Sequence, residues 1–170
     1  MLLRPLTPED AAEFQSLRLR GLQECPEAFA SSYEEEANTL PAEIERRLQP
    51  KADSAIVGAF REGTLVGLTG VQRESMTKLA HKAFIWGVYV APHARGHGVG
   101  TKVVSQALNY ATEKLGVRQV NLGVNARSTA AVELYKKLGF VQYGFERGFL
   151  LVAGVLHDEY QMVWHARGAA

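Results

Sequence analysis

Between Val88 and Thr101 the chain reads Val-Tyr-Val-Ala-Pro-His-Ala-Arg-Gly-His-Gly-Val-Gly-Thr, and here residue type and spacing first imply chemistry. An apolar and aromatic run stops at Pro92. A compact turn follows, and Gly96, Gly98 and Gly100 then lead directly into a helical pattern. Glycines lack a Cβ, so backbone N–H groups can close on a bulky anion. The first turn of a helix adds unpaired donors and a partial positive charge. Arg95 and the hydroxyl of Thr101 complete a cradle of the kind that holds a pyrophosphate. Two other phosphate loops do not fit. A P-loop needs Gly, then Lys, then a hydroxyl, whereas Gly100 is followed by Thr101 and then Lys102. A dinucleotide fingerprint needs G-x-G-x-x-G, and the spacing here is G-x-G-x-G.

Other reactive residue types are sparse. Cys25 is the single cysteine, so it has no internal disulfide partner. His93, His97 and His157 do not fall at metal-ligand spacing, and no metal is expected. Nineteen Lys plus Arg against eighteen Asp plus Glu leave a formal charge of +1. That balance lacks the basic excess of a nucleic-acid binder, and no nucleic-acid partner is expected. The first residues carry Arg4, Glu9 and Asp10 where a signal peptide needs its apolar run. Phe84–Ala91 and Phe149–Leu156 are well short of the roughly 20 residues of a membrane helix. A cytoplasmic protein without a membrane partner is the expectation.

The elements that must position the glycine loop follow from periodicity. Hydrophobic residues at 46% can fill one core, and no linker or repeat divides the chain, so 1–170 is expected to be one domain. Met1–Leu6 reads as a short strand, and Thr7-Pro8-Glu9-Asp10 as a helix start with a hydroxyl N-cap and early proline. Two short helices are expected around Pro26–Glu36 and Pro41–Leu48. Ala55–Phe60 and Thr64–Val71 flank the turn Arg61-Glu62-Gly63 as a hairpin, and Ala83–Val90 is a third strand. Val99, Val103, Val104, Ala107, Leu108, Ala111 and Leu115 recur at helical spacing, with Gly116 as the stop. Val117–Val124 is a strand, Ser128–Leu138 a helix ended by Gly139, and Val141–Glu146 and Gly154–Trp164 close the chain as strands. Crossovers and hairpins together require a mixed α+β sheet with helices on both faces.

Arg95-x-x-Gly98-x-Gly100 resembles the R-x-x-G-x-G/A pyrophosphate loop of the GNAT superfamily, the acyl-CoA-dependent N-acyltransferases. Asn125 and the stretch Ala130-Ala131-Val132-Glu133-Leu134-Tyr135-Lys136-Lys137-Leu138-Gly139-Phe140 resemble that family's second motif, and the element order matches end to end. The resemblance implies a mixed, mostly antiparallel twisted sheet whose central strands splay into an acyl-CoA cleft. It implies acetyl-CoA as cosubstrate and transfer of acetyl to a primary amine by direct attack in a ternary complex. Backbone groups of Val88, Tyr89 and Val90 would bond the pantetheine arm, with an N–H near Val90 polarising the thioester carbonyl. The N–H groups of Gly96, His97, Gly98, Val99, Gly100 and Thr101 would hold the pyrophosphate, and Asn125 would sit beside the cysteamine end.

Tyr135 matches the tyrosine that protonates the departing thiolate. With ordinary values of about 10 for a phenol and about 8.5 for a thiol, that transfer is uphill by only ~2 kcal/mol. The general base stays open, because many relatives carry a strand glutamate that Lys82–Val90 lacks. His81, Glu34, Glu35, Glu36 and Glu159 are the candidates, directly or through a water. Cys25 lies in the early helical region, away from both motifs, and is a poor acyl carrier. A small amine such as an amino acid or polyamine is the expected acceptor. Acid beside Tyr33 would suit a cationic amine. The alternatives are a non-catalytic acyl-CoA sensor and a protein N-terminal or lysine acetyltransferase. A homodimer is left open, with Gly154–Trp164 as the strand that would pair across it.

Overall fold

The computed structural model describes residues 1–166, so the end of the expected 1–170 domain lies outside the described residues. Seven strands form one sheet: β1 (Leu2–Pro5), β2 (Ser54–Arg61), β3 (Thr64–Arg73), β4 (Lys82–Val90), β5 (Gln119–Asn125), β6 (Val141–Val152) and β7 (Val155–His165). Their spatial order is β1-β2-β3-β4-β5-β7-β6, and every neighbouring pair is antiparallel except β4 with β5. Side chains alternate across the strands. On β2, Val57 and Ala59 join one core, while Ile56 and Phe60 join the other.

Among the described residues five α-helices cover the two faces. α1 (Ala11–Glu24), the single turn α2 (Tyr33–Glu36) and α3 (Pro41–Leu48) lie on one side, where Phe14, Leu17, Leu22, Ile44 and Leu48 are buried. α4 (Val99–Glu113) and α5 (Thr129–Lys137) lie on the other, and the α4 stripe Val99, Val103, Val104, Ala107 and Ala111 is fully or almost fully buried. This is the mixed, mostly antiparallel α+β sheet that the element order requires.

Three local expectations change. Pro26–Glu36 is not one helix: Pro26–Ala28 makes a single 3-10 turn, and α2 starts afresh at Tyr33. The break is set by Phe29, whose extended backbone buries its ring, and by Ser32, which caps α2. The Ser32 Oγ accepts from the Glu35 N–H at 3.3 Å while the Glu35 carboxylate accepts from the Ser32 N–H at 2.7 Å. β6 runs on to Val152, past the expected end at Glu146. Finally, from Glu159 to Val163 β7 is not available to pair across a dimer, because β5 and β6 occupy its two sides there. The unpaired edge beside it belongs to β6.

Candidate active site

Two glycines shape the turn from β4 into α4. Gly96 (φ +78°) and Gly98 (φ +73°) both sit in the left-handed region, and a Cβ at either would point into open space. Gly98 is the N-cap of α4, and the first intrahelical bond runs from the Lys102 N–H to its carbonyl at 3.0 Å. The N–H groups of Val99, Gly100 and Thr101 therefore have no partner one turn back. Gly100 has the opposite reason for lacking a side chain: a Cβ there would stand 2.9 Å from the Leu134 Cδ1 of α5. A surface of free donors with nothing above it fits a pyrophosphate. The Arg95 side chain runs back from the turn toward the end of β4. Its Nε donates to the Val90 carbonyl at 2.9 Å, an Nη lies 3.4 Å from Glu24, and the guanidinium covers the Tyr89 ring. It braces the turn against the end of β4. His97 folds its Nδ1 onto the Arg95 carbonyl at 2.8 Å, and Thr101 is exposed in the first turn.

The sheet opens beside this turn. β4 and β5 pair only at Lys82–Gln119, Ala83–Val120 and Phe84–Asn121. Beyond them the strands diverge, so the β4 edge from Ile85 to Val90 has no strand partner on that side. A β-bulge reinforces the divergence: Thr69 of β3 faces both Gly87 and Val88, and Gly87 has φ +66°. The Tyr89 side chain is not at the opening. It is buried against α1, where its hydroxyl donates to Glu24 at 2.5 Å, and burial with that carboxylate raises it to about 12. Asn125 is buried at the end of β5. Its Nδ2 donates to the Glu27 carbonyl at 3.1 Å, its Oδ1 accepts from the Arg127 N–H at 2.9 Å, and His157 lies 3.3 Å away. Tyr135 is buried in the α4–α5 core, edge-on to Phe140 at 5.7 Å. Burial raises its phenol well above the ordinary 10, so it keeps its proton and is a weaker acid than sequence implies.

On the α1 side of the opening lies a cavity of about 260 Å³, walled by Trp86 and Gly87 of β4, Gly123 and Asn125 of β5, Phe29, Arg18 and Glu159. The Glu159 carboxylate projects from β7 directly over Gly123, in space that a Cβ at that position would fill. Burial, with repulsion from Glu146 on the adjoining strand, raises it from 4.5 to about 7.

The acetyltransferase (GNAT) family model matches residues 22–140, which span the loop, the opening and the second motif. The chain belongs to the GNAT family. It is similar to the N-alpha-acetyltransferase RimI of Mycobacterium tuberculosis, with 31% identity over 82% of this chain and 84% of that protein. A mycothiol acetyltransferase of Brachybacterium faecium is 30% identical over 81% of this chain, which spans only 44% of that protein's length. An uncharacterized N-acetyltransferase of Methanocaldococcus jannaschii matches over 37% of the chain and 27% of its own length. Among solved structures, a GNAT acetyltransferase of Streptococcus pneumoniae superposes with TM-score 0.87 at 24% identity, covering 97% of this chain and 99% of the other. A GNAT phosphinothricin acetyltransferase of Sinorhizobium meliloti, in complex with acetyl-CoA, gives 0.80 at 21% identity, covering 96% and 87%. This GNAT chain is accordingly an acyltransferase with the family's fold.

Within the GNAT frame the five candidate bases separate. His81 lies at the far, paired end of β4, where its carbonyl accepts from Arg118 and Gln119. Glu35 caps its own helix. Glu36 is tied to Arg18 at 2.8 Å and Arg47 at 3.5 Å; burial pushes its carboxyl up, but the two guanidinium groups outweigh that and hold it below 4.5. Glu34 faces a neighbouring cavity between α2 and the end of β6. Of these five, Glu159 alone lines the cavity at the opening, where Glu27 stands in the wall as well. Cys25 is closer to the cofactor loop than its sequence position implies, because α1 ends beside Arg95; burial pushes its thiol up and keeps it protonated. Arg18 is the residue that sequence reasoning passed over. It is a buried cation on the α1 stripe, and nothing in its spacing marks it out. Among the described residues no group of three or more His, Cys, Asp or Glu is placed to hold a metal ion, and no helix is long and apolar enough to cross a membrane.

Proposed function

We propose that the chain is an acetyl-CoA-dependent N-acetyltransferase acting on a primary amine, small-molecule in kind, and working as one cytoplasmic domain. The observation that carries this reading is the opening between β4 and β5, with the free N–H groups of α4 at one end and Glu159 in its cavity at the other. Acetyl-CoA supplies an acetyl group already activated as a thioester. The donors from Gly96 to Thr101 hold its pyrophosphate. The unpaired β4 edge at Val88–Val90 bonds the amides of the pantetheine arm as a neighbouring strand would, and Asn125 fixes the end of β5 beside it. A backbone N–H near Val90 polarises the acetyl carbonyl.

An amine is cationic at neutral pH and must lose a proton before it attacks. Glu159, with its carboxyl near 7, has the affinity to accept that proton and the exposure to release it. Tyr135 stays protonated and serves as the donor to the sulfur. The test is acetyl-CoA-dependent thiol release against amino acids, polyamines, aminoglycosides, arylamines and short peptides. Saturation with an amine supports the reading, and acetyl-CoA binding without release from any of them overturns it.

A second reading, acetylation of a protein N-terminus, is favoured by the likeness to RimI and by the cavity between Phe29–Glu34 and Leu150–Ala153, which shares Phe29, Ala30, Ser31 and Leu150 with the Glu159 cavity. Peptides in the panel separate the two. The homodimer belongs here as well, now along β6: its free edge and the β6–β7 hairpin expose Val141, Tyr143, Leu151, Val155 and Leu156, each more than half accessible.

A further inference from the structure

Arg18 stands between two cavities. It lines the Glu159 cavity, and it also lines a second cavity of about 430 Å³ on the same face of the sheet, which shares Arg18, Ser31 and Trp86 with the first. Its Nε and one Nη donate to Glu36 at 3.1 and 2.8 Å, and its guanidinium lies over the Phe29 and Trp86 rings. Its other nitrogen, Nη1, is buried and among the described residues has no hydrogen-bond partner. An orphaned guanidinium N–H inside a protein is costly, so the atom is short of an acceptor. Arg47 and Lys51 line the second cavity as well, and no Asp or Glu does. Glu36 offsets one of the three positive charges, which leaves an excess of two. Phe84, Trp86 and Tyr110 supply flat apolar wall.

We propose that the acceptor is an amine that also carries a carboxylate, with its amine at Glu159 and its carboxylate received by Arg18 from the cavity that Arg47 and Lys51 make positive. This rests on the acetyl-transfer reading above and narrows it. Polyamines, which match the acids near Tyr33, meet repulsion at the inner end of the site. Acceptors of amino-acid type meet a donor without a partner. A fork-shaped guanidinium with a free N–H is suited to a carboxylate oxygen, and the surrounding rings suit an apolar body.

The test reads the anion site without requiring turnover. Trp86 and Trp164 are the two tryptophans, so Trp164→Phe leaves Trp86 as the reporter in the cavity wall. In that background phenylacetate should quench Trp86 saturably, and phenylacetamide, its uncharged counterpart, should bind at least about tenfold more weakly, the size of a charge-assisted contact. Arg18→Lys, which loses the guanidinium fork but keeps the charge, should cut the preference for the acid to the share that Arg47 and Lys51 supply. Because Arg18 is buried, Lys51→Ala at the exposed rim is the companion variant, and it should weaken phenylacetate about fivefold, the worth of one solvent-exposed charge contact. Equal binding of acid and amide, or no quenching by either, overturns the inference. Calorimetry with acetyl-CoA is run beside it. If acetyl-CoA binds and phenylacetate does not, only this inference falls; if acetyl-CoA does not bind, the acetyl-transfer reading falls with it.

Discussion

Replacing Glu159 with glutamine moves activity and stability in opposite directions. The carboxyl is raised from 4.5 to about 7, by burial first and by repulsion from Glu146 second. A difference of that size corresponds to about 3 kcal/mol held against the charged form. Water reaching the partly exposed group reduces it, so glutamine should recover roughly 1–3 kcal/mol. The sign follows from proton binding. Folded Glu159 holds its proton more tightly than the unfolded chain does, so the cost is absent below 4.5, grows as pH rises toward 7, and is complete above it. Melting curves should therefore coincide for wild type and Glu159→Gln at about pH 4.5, and the variant should melt roughly 2–10 °C higher at about pH 8. Turnover should fall by about 10²–10⁴, and the acidic limb of the wild-type rate profile, centred near 7, should vanish. Acetyl-CoA affinity should hold. A melting difference that ignores pH, or full turnover in the variant, refutes the assignment of the base.

Four further outcomes are expected. Gly98→Ala places a methyl group in the open space above the N-terminus of α4 and costs about 1–2 kcal/mol of left-handed backbone; the KM for acetyl-CoA should rise at least tenfold while circular dichroism is unchanged. Tyr135→Phe should lower kcat and leave acetyl-CoA affinity and melting temperature nearly unchanged, since the hydroxyl makes no hydrogen bond among the described residues; unchanged kcat removes the acid role. Gly123→Ala should displace the Glu159 carboxylate that lies over it, so kcat should drop and the pH midpoint move even though no ionisable group is changed. Leu151→Lys, on the exposed β6 edge, should shift sedimentation from dimer to monomer without altering the activity per chain; no shift removes β6 as the contact.

The glycine turn from β4 into α4 was legible because its signals are local. Gly96 and Gly98 report backbone conformation directly, and the α4 stripe gave the helix that follows. The turn at Glu62-Gly63 was legible for the same reason, as both residues have positive φ. The end of β6 was hidden because Gly148 introduces a register shift and Ala153-Gly154 is a weak turn signal, although both its residues also have positive φ. The acceptor half was hidden because its geometry is non-local. Glu159 is singled out by the register that sets it beside Asn125 and over Gly123, and without that register the four glutamates and His81 look equivalent. Arg18 reads as an interruption of an apolar stripe until the fold pairs it with Glu36 and leaves one nitrogen free. The free edge likewise passes from β7 to β6 only once the strand order is known.

The short pairing of β4 with β5 has a mechanical side. Mechanically, the sheet is two stiff leaves, β1–β4 and β5–β7–β6, welded at three residue pairs, with a crack whose tip sits at Phe84 and Asn121. Flexing of either leaf concentrates at that tip. A long molecule bonded to the β4 lip and to the end of β5 bridges the crack and takes load from the weld. Occupancy of the opening should then stiffen the molecule as far as its two outer edges, with amide exchange slowing along both lips and in strands the ligand never touches.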